Sequence, residues 1–194
     1  MGGPALAPGT SNPMGAPEPF RPTITTPYDG AIAAYRAGRV DEALAVTDEA
    51  LKADPRNAQL RFLRGVILAE RGRTDEAVAM FRGMIEDFPE LPEPYNNLAV
   101  IHAGRGEWDA ARQALEQSVR AVPTYALAHE NLGDIHLQLA ARAYEQAGRL
   151  DARNQSTRSK LALARELIGR VQAVPPESRN PRPGAQLPPQ VTPR

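Results

Sequence analysis

Three hexapeptides decide the fold: Gly38-Arg39-Val40-Asp41-Glu42-Ala43, Gly72-Arg73-Thr74-Asp75-Glu76-Ala77 and Gly106-Glu107-Trp108-Asp109-Ala110-Ala111. Their glycines, aspartates and last alanines each recur at a spacing of 34, and Pro55, Pro89 and Pro123 follow at the same spacing. Such a period is read before any single residue, because it dictates the architecture. Each register has a physical task. The glycine ends a first helix in the left-handed conformation that a Cβ disfavours. The aspartate three residues on opens a second helix, where its carboxylate can accept orphan N–H groups and meets the positive end of the dipole. The alanine leaves room for the paired helix, and the proline closes the second one. Between these marks the apolar residues keep helical spacing, as in Leu60, Leu63, Ile67 and Leu68, then Val78, Phe81, Met84 and Ile85. The unit is a helical hairpin.

Outside the repeat the composition changes. Of the 19 prolines, seven lie in residues 1–27 and seven in residues 175–194. This predicts a central domain over 28–174, long enough to bury about two thirds of its unfolded surface, between two disordered proline-rich tails. The 23 basic and 23 acidic residues cancel, which argues against an electrostatic nucleic-acid binder. With no cysteine there is no disulfide framework, thiol nucleophile or thiolate metal site. No apolar run approaches the ~18 residues of a membrane span. The opening Met1-Gly2-Gly3-Pro4-Ala5-Leu6-Ala7 carries no secretory signal as written. The compartment stays open between cytoplasm and, with a signal upstream, the cell envelope. Arginine supplies 21 of the 23 basic residues, a bias that reads as coding-DNA composition.

The repeat resembles the tetratricopeptide repeat family. With Ala58 as position 1, the second unit has Gly65 at 8, Gly72 at 15, Ala77 at 20, Phe81 at 24 and Pro89 at 32. The third, from Pro92, has Tyr95 at 4, Leu98 and Ala99 at 7 and 8, Ala111 at 20, Leu115 at 24 and Pro123 at 32. The first, from Ile24, keeps Ala31, Gly38, Ala43, Ala50 and Pro55 but places Pro27 at position 4. The fourth, over 126–154, departs: only seven positions separate Gly133 from Ala140, where the family has twelve, and the five lost residues are those of the turn. One continuous helix from about Ala126 to Leu150, or two helices joined without a proper turn, is therefore expected, followed by an amphipathic capping helix from about Ser156 to Val174. The resemblance implies an all-α, right-handed α-solenoid of helical hairpins: three full repeats, a fused fourth unit and a terminal cap. Chains of this kind are common in bacteria.

The resemblance also implies a concave groove lined by positions 2, 5, 9, 12 and 13 of the first helices. Carried over residue by residue, these give Tyr28, Ile32 and Tyr35, then Phe62, Val66 and Ala69, then Glu93, Asn96 and Val100, and finally Glu130 and Asp134. Such a groove suits a peptide or helix that presents apolar side chains followed by a basic one. Chaperone-binding members hold a C-terminal carboxylate with lysine, arginine and asparagine. At the matching positions this chain has Tyr28, Ile32, Leu63, Glu93 and Asn97; only Asn97 is one of these residue types, and Glu93 would repel a carboxylate.

Catalytic and metal motifs are weak. His129-Glu130-Asn131-Leu132-Gly133 lacks the second histidine of a zinc motif. His102 and His136 share repeat position 11 and read as packing residues, and Trp108 reads as packing on the adjoining hairpin. Asn154-Gln155-Ser156 fits a glycosylation sequon but is needed as a turn and N-cap. Pro19-Phe20-Arg21-Pro22 and residues 182–189 suit polyproline II ligands or plain linkers. A non-enzymatic interaction scaffold without cofactor or metal is the reading favoured, with self-association through the long helix and the cap as its rival.

Overall fold

The computed structural model describes residues 26–173, so the expected disordered tails and their polyproline segments lie outside the described residues. Among the described residues there are eight helices and no strand: α1 Pro27–Arg36, α2 Val40–Ala53, α3 Ala58–Glu70, α4 Thr74–Asp87, α5 Pro92–Gly104, α6 Trp108–Ala121, α7 Ala126–Leu150 and α8 Gln155–Ala173. Consecutive helices pack as hairpins. Contacts α1 to α3, α3 to α5 and α5 to α7 then stack the first helices of the hairpins side by side into an α-solenoid.

The three glycines do what the repeat requires. Gly38, Gly72 and Gly106 have φ of 76°, 73° and 72°. In each turn the glycine N–H donates to the carbonyl two residues before the cap. The next N–H donates to the carbonyl one residue earlier still: Arg39 to Ala34, Arg73 to Leu68 and Glu107 to His102, all at 2.9 Å. Ala43, Ala77 and Ala111 are fully buried, which brings the helices of each hairpin together.

The aspartates act differently from the sequence-based expectation. Arg39, Arg73 and Glu107 occupy the N-cap positions and make no side-chain cap bond, while Asp41, Asp75 and Asp109 lie one residue inside their helices. Asp41 instead pairs with Arg71, Asp75 with Arg105 at 2.6 Å and Asp109 with Arg142 at 2.9 Å. The second helix of one unit is thereby tied to the next unit. These carboxylates are 60–94 % exposed, so each link is worth ~0–1 kcal/mol and mainly sets register.

α1 has 10 residues against 13 in α3 and α5. Pro27 at its first position explains the missing turn, since proline is tolerated in the first turn of a helix but not farther inside it. Thr26 completes a capping box: Asp29 N–H donates to Thr26 Oγ1 at 3.2 Å and Thr26 N–H donates to Asp29 Oδ2 at 3.1 Å. The helical body thus begins just before residue 28.

The core is widest in the second repeat, where Leu63, Ile67, Leu68, Phe81 and Met84 are fully buried. Phe81 lies over Gly65, so close that a Cβ there would stand 2.7 Å from the ring, and it tilts against Phe62 with centroids 5.9 Å apart. The corresponding pair is Ala99 with Leu115 in the third repeat and Ala31 with Thr47 in the first, so helix spacing is held by matching a small residue with a larger one.

In the fourth unit α7 runs unbroken for 25 residues, and α8 folds back along it after a four-residue turn over 151–154. Thr157 N–H donates to Asn154 Oδ1 at 3.0 Å, an N-cap bond from the sequon asparagine. Ala164 of α8 is buried, and Ala141 of α7 is buried as well. α8 stands against α7 as the second helix of each earlier hairpin stands against its first.

Candidate functional site

Two cavities open between the first helices of the hairpins. One of about 430 Å³ lies between α3 and α5, with Val66, Ala69, Glu70, Asn97, Val100 and Arg105 in its walls. The next, about 510 Å³, is enclosed by α5, α6, α7 and α8. Its walls include Val100, Ala103, Trp108, Asp134, Leu137 and Ile168. Val100 and Gly104 belong to both, so the two form one surface along the face. At 43 %, Val100 is one of the exposed large apolar side chains among the described residues.

Of the eleven positions expected to form a groove, Val66, Ala69, Val100 and Asp134 line these cavities. Ile32, Tyr35, Phe62, Glu93 and Asn96 are buried, Tyr28 is half-buried and Glu130 is exposed. Phe62 and Ile32 belong to the core beside Phe81 and Ala31, so their side chains hold the solenoid together. Tyr35 donates its hydroxyl to Glu70, tying α1 to α3. Burial pushes the Tyr28 hydroxyl up to about 12.

Three helices, α5, α7 and α8, supply cavity residues outside the expected groove positions. Asn97 and Asn131 sit at position 6 of successive units, and Ile168, Val171 and Gln172 come from α8. Element lengths carry the signal for the latter. A 19-residue α8 is about 28 Å long, so after a tight turn its last residues come to rest beside the middle of α7. Trp108 opens α6 and packs half-buried against the core of the third and fourth units, at the cavity wall.

A seam of buried polar groups runs between α5 and α7. Asn131 Nδ2 donates to Asn96 Oδ1 at 2.8 Å, and Asn97 Nδ2 donates to the Glu93 carbonyl at 2.9 Å. Glu93 is 7 % exposed and its Oε2 meets no donor; Asn96 is fully buried and its Nδ2 meets no acceptor. Burial raises the Glu93 carboxyl above its ordinary value. Burial also raises the Tyr125 hydroxyl, with a smaller push from the Glu93 charge.

The histidines divide. His102 is half-buried, with Nδ1 2.5 Å from Glu107 Oε2, whereas His136 is exposed and does not pack as its shared repeat position suggested. The fused helix has no turn to press position 11 against. His129 contacts the Pro123 carbonyl at 2.9 Å. Among the described residues no three histidine, aspartate or glutamate side chains cluster as metal ligands, and no helix is long and apolar enough to cross a membrane.

Two family models, both described as tetratricopeptide repeat, match residues 28–92 and 68–132. Among solved structures, a thermophilic repeat protein of Thermus thermophilus is 22 % identical, with 75 % of this chain and 83 % of that chain covered at a TM-score of 0.54. MamA is 23 % identical, with 76 % and 84 % covered at a TM-score of 0.53. The first repeat domain of Spaghetti (RPAP3), bound to the HSP90 peptide SRMEEVD, is 18 % identical, with 59 % and 90 % covered at 0.55. These likenesses establish the fold. No curated protein sequence matches the chain significantly.

Proposed function

The chain belongs to the tetratricopeptide repeat family, and from that premise we propose that it is a non-enzymatic scaffold whose α3–α5–α7–α8 face binds a segment of another protein. The observation that carries the reading is the continuous pair of cavities that meet at exposed Val100. Apolar walls from Val66, Ala103, Leu137 and Ile168 favour apolar side chains, while Glu70 and Asp134 favour a basic one. A photo-crosslinking residue at position 100 is expected to capture a partner that the same residue at Ala45, exposed on α2, does not. Val100→Glu should weaken that partner's binding by about tenfold or more, as loss of a central apolar contact does. Equal capture from positions 100 and 45 would sink the assignment.

A second reading, self-association, is favoured by the outer face of the last hairpin. Leu150, Leu163 and Leu167 are 80 %, 60 % and 46 % exposed, and the last two stand one helical turn apart on α8. A second copy of the chain would cover them. Light scattering at high concentration should then report a dimer that Leu163→Glu with Leu167→Glu converts to monomer; a wild-type monomer excludes the reading.

A further inference from the structure

We infer that the cavity between α5, α6, α7 and α8 is a seat for this chain's own residues 174–182, the stretch that follows the last helix. Ile168, Val171 and Gln172 of α8 line the cavity, and α8 ends at Ala173, so the chain leaves the helical body at the cavity's own edge. A space of 510 Å³ is roughly 10 Å across and polyproline II advances about 3.1 Å per residue, so Pro176, four residues past Gln172, reaches any of its walls. One of those walls is Trp108, the only tryptophan of the chain, half-buried at the start of α6. Proline-rich segments dock on aromatic surfaces because their helix is already formed and little entropy is lost. The sequence Val174-Pro175-Pro176-Glu177-Ser178-Arg179-Asn180-Pro181-Arg182 fits in charge as well. With three residues per turn of polyproline II, Pro176, Arg179 and Arg182 share one side while Glu177 stands on another. Among the described residues the one charged side chain in the cavity wall is Asp134, and Glu130, one turn before it on α7, is exposed. Pro176 against Trp108 therefore leaves the two arginines facing an acidic stretch of α7. Because the segment is tethered, it meets the cavity at an effective concentration on the order of millimolar, and a docking constant of about 1 mM fills the cavity half of the time. A segment of another protein then has to displace it.

This inference rests on the reading of the face as a groove, and its experiment needs no partner. The probe is acrylamide, which quenches the fluorescence of Trp108 in the full chain. Pro176→Glu with Arg179→Glu, both past the end of α8, should raise the quenching constant about twofold, since a cover present half of the time halves the exposure of the ring. Pro189→Ser with Arg194→Ser, beyond the docked stretch, should leave it at the wild-type value. Dilution of the wild-type chain by about a hundredfold should not change it either, as a contact within one chain does not depend on concentration. Equal quenching of the wild type and the Pro176–Arg179 variant overturns the seat, and so does an equal rise from both pairs of substitutions. Protection that fades on dilution overturns it too, and assigns the cover to a second copy of the chain. If crosslinking at Val100 captures a partner while quenching is the same in every chain, the seat alone fails. If the segment protects Trp108 while positions 100 and 45 capture equally, the seat stands and the partner groove falls.

Discussion

Replacing Phe81 with alanine is expected to cost the fold about 3–5 kcal/mol, a large share of the roughly 5–15 kcal/mol that stabilises an ordinary domain. The ring is fully buried, packs on Phe62 and presses on the bare backbone of Gly65. It fills the middle of a core that joins the first three units, so a void there loosens the interface with both neighbours, and a solenoid has no distant contacts to compensate. Urea titration followed by helical circular dichroism checks it, with a lower midpoint the expected result. The close pairing with Gly65 sharpens the test. A Cβ at 65 would stand 2.7 and 2.9 Å from two ring atoms, so Gly65→Ala should destabilise by about 1–3 kcal/mol as overpacking. The third repeat carries alanine and leucine at these positions, Ala99 and Leu115. Gly65→Ala combined with Phe81→Leu should therefore cost less than the two changes summed. Strict additivity would mean that the helix spacing is not held by this pair.

The second large effect concerns the fused unit. Ala143 is exposed in α7, just beyond the point where the family's turn residues are missing. Ala143→Pro removes no buried side chain, yet it deletes a backbone hydrogen bond and drives the ring into the carbonyl of Leu139, at a cost of about 3 kcal/mol or more. Ala143→Gly, which keeps the hydrogen bond, should cost only about 1 kcal/mol. If the proline variant is as stable as the glycine variant, α7 is not a continuous helix there. Because α8 lies along α7, the kink should also detach the helix that closes the larger cavity and lower partner binding in step with stability.

The architecture could be read from the sequence because its determinants are local. Gly38, Gly72 and Gly106 announce left-handed caps through their own chemistry, and a five-residue deletion over Ile135–Arg142 announces a helix that does not turn. Asp41, Asp75 and Asp109 were harder. Their acidity at a helix start is visible in the sequence, but their arginine partners lie 30–33 residues away and meet them only through the offset between stacked units. The groove was the least legible part. Positions 5 and 9 predict a face, but how far a side chain stands out from that face depends on its size and on the neighbouring hairpin. Phe62 and Asn96 sink between helices, whereas Val100 stays in view. The contribution of α8 could be found only by laying one helix length against another.

The last hairpin has arms of 25 and 19 residues where the earlier ones have 10 to 14. Its α7 arm exceeds the 13 residues of α3 and α5 by 12, which at 1.5 Å per residue carries its tip about 18 Å farther. Every residue from Arg149 to Lys160 except Thr157 is exposed, as befits a prong that stands clear of the body. The prong places Leu150 well away from the cavity at Val100, so under the two proposed readings occupants of the two ends would not collide. In such an arrangement the rigid hairpin acts as a spacer, and the loss of a turn has converted a stacking element into a ruler.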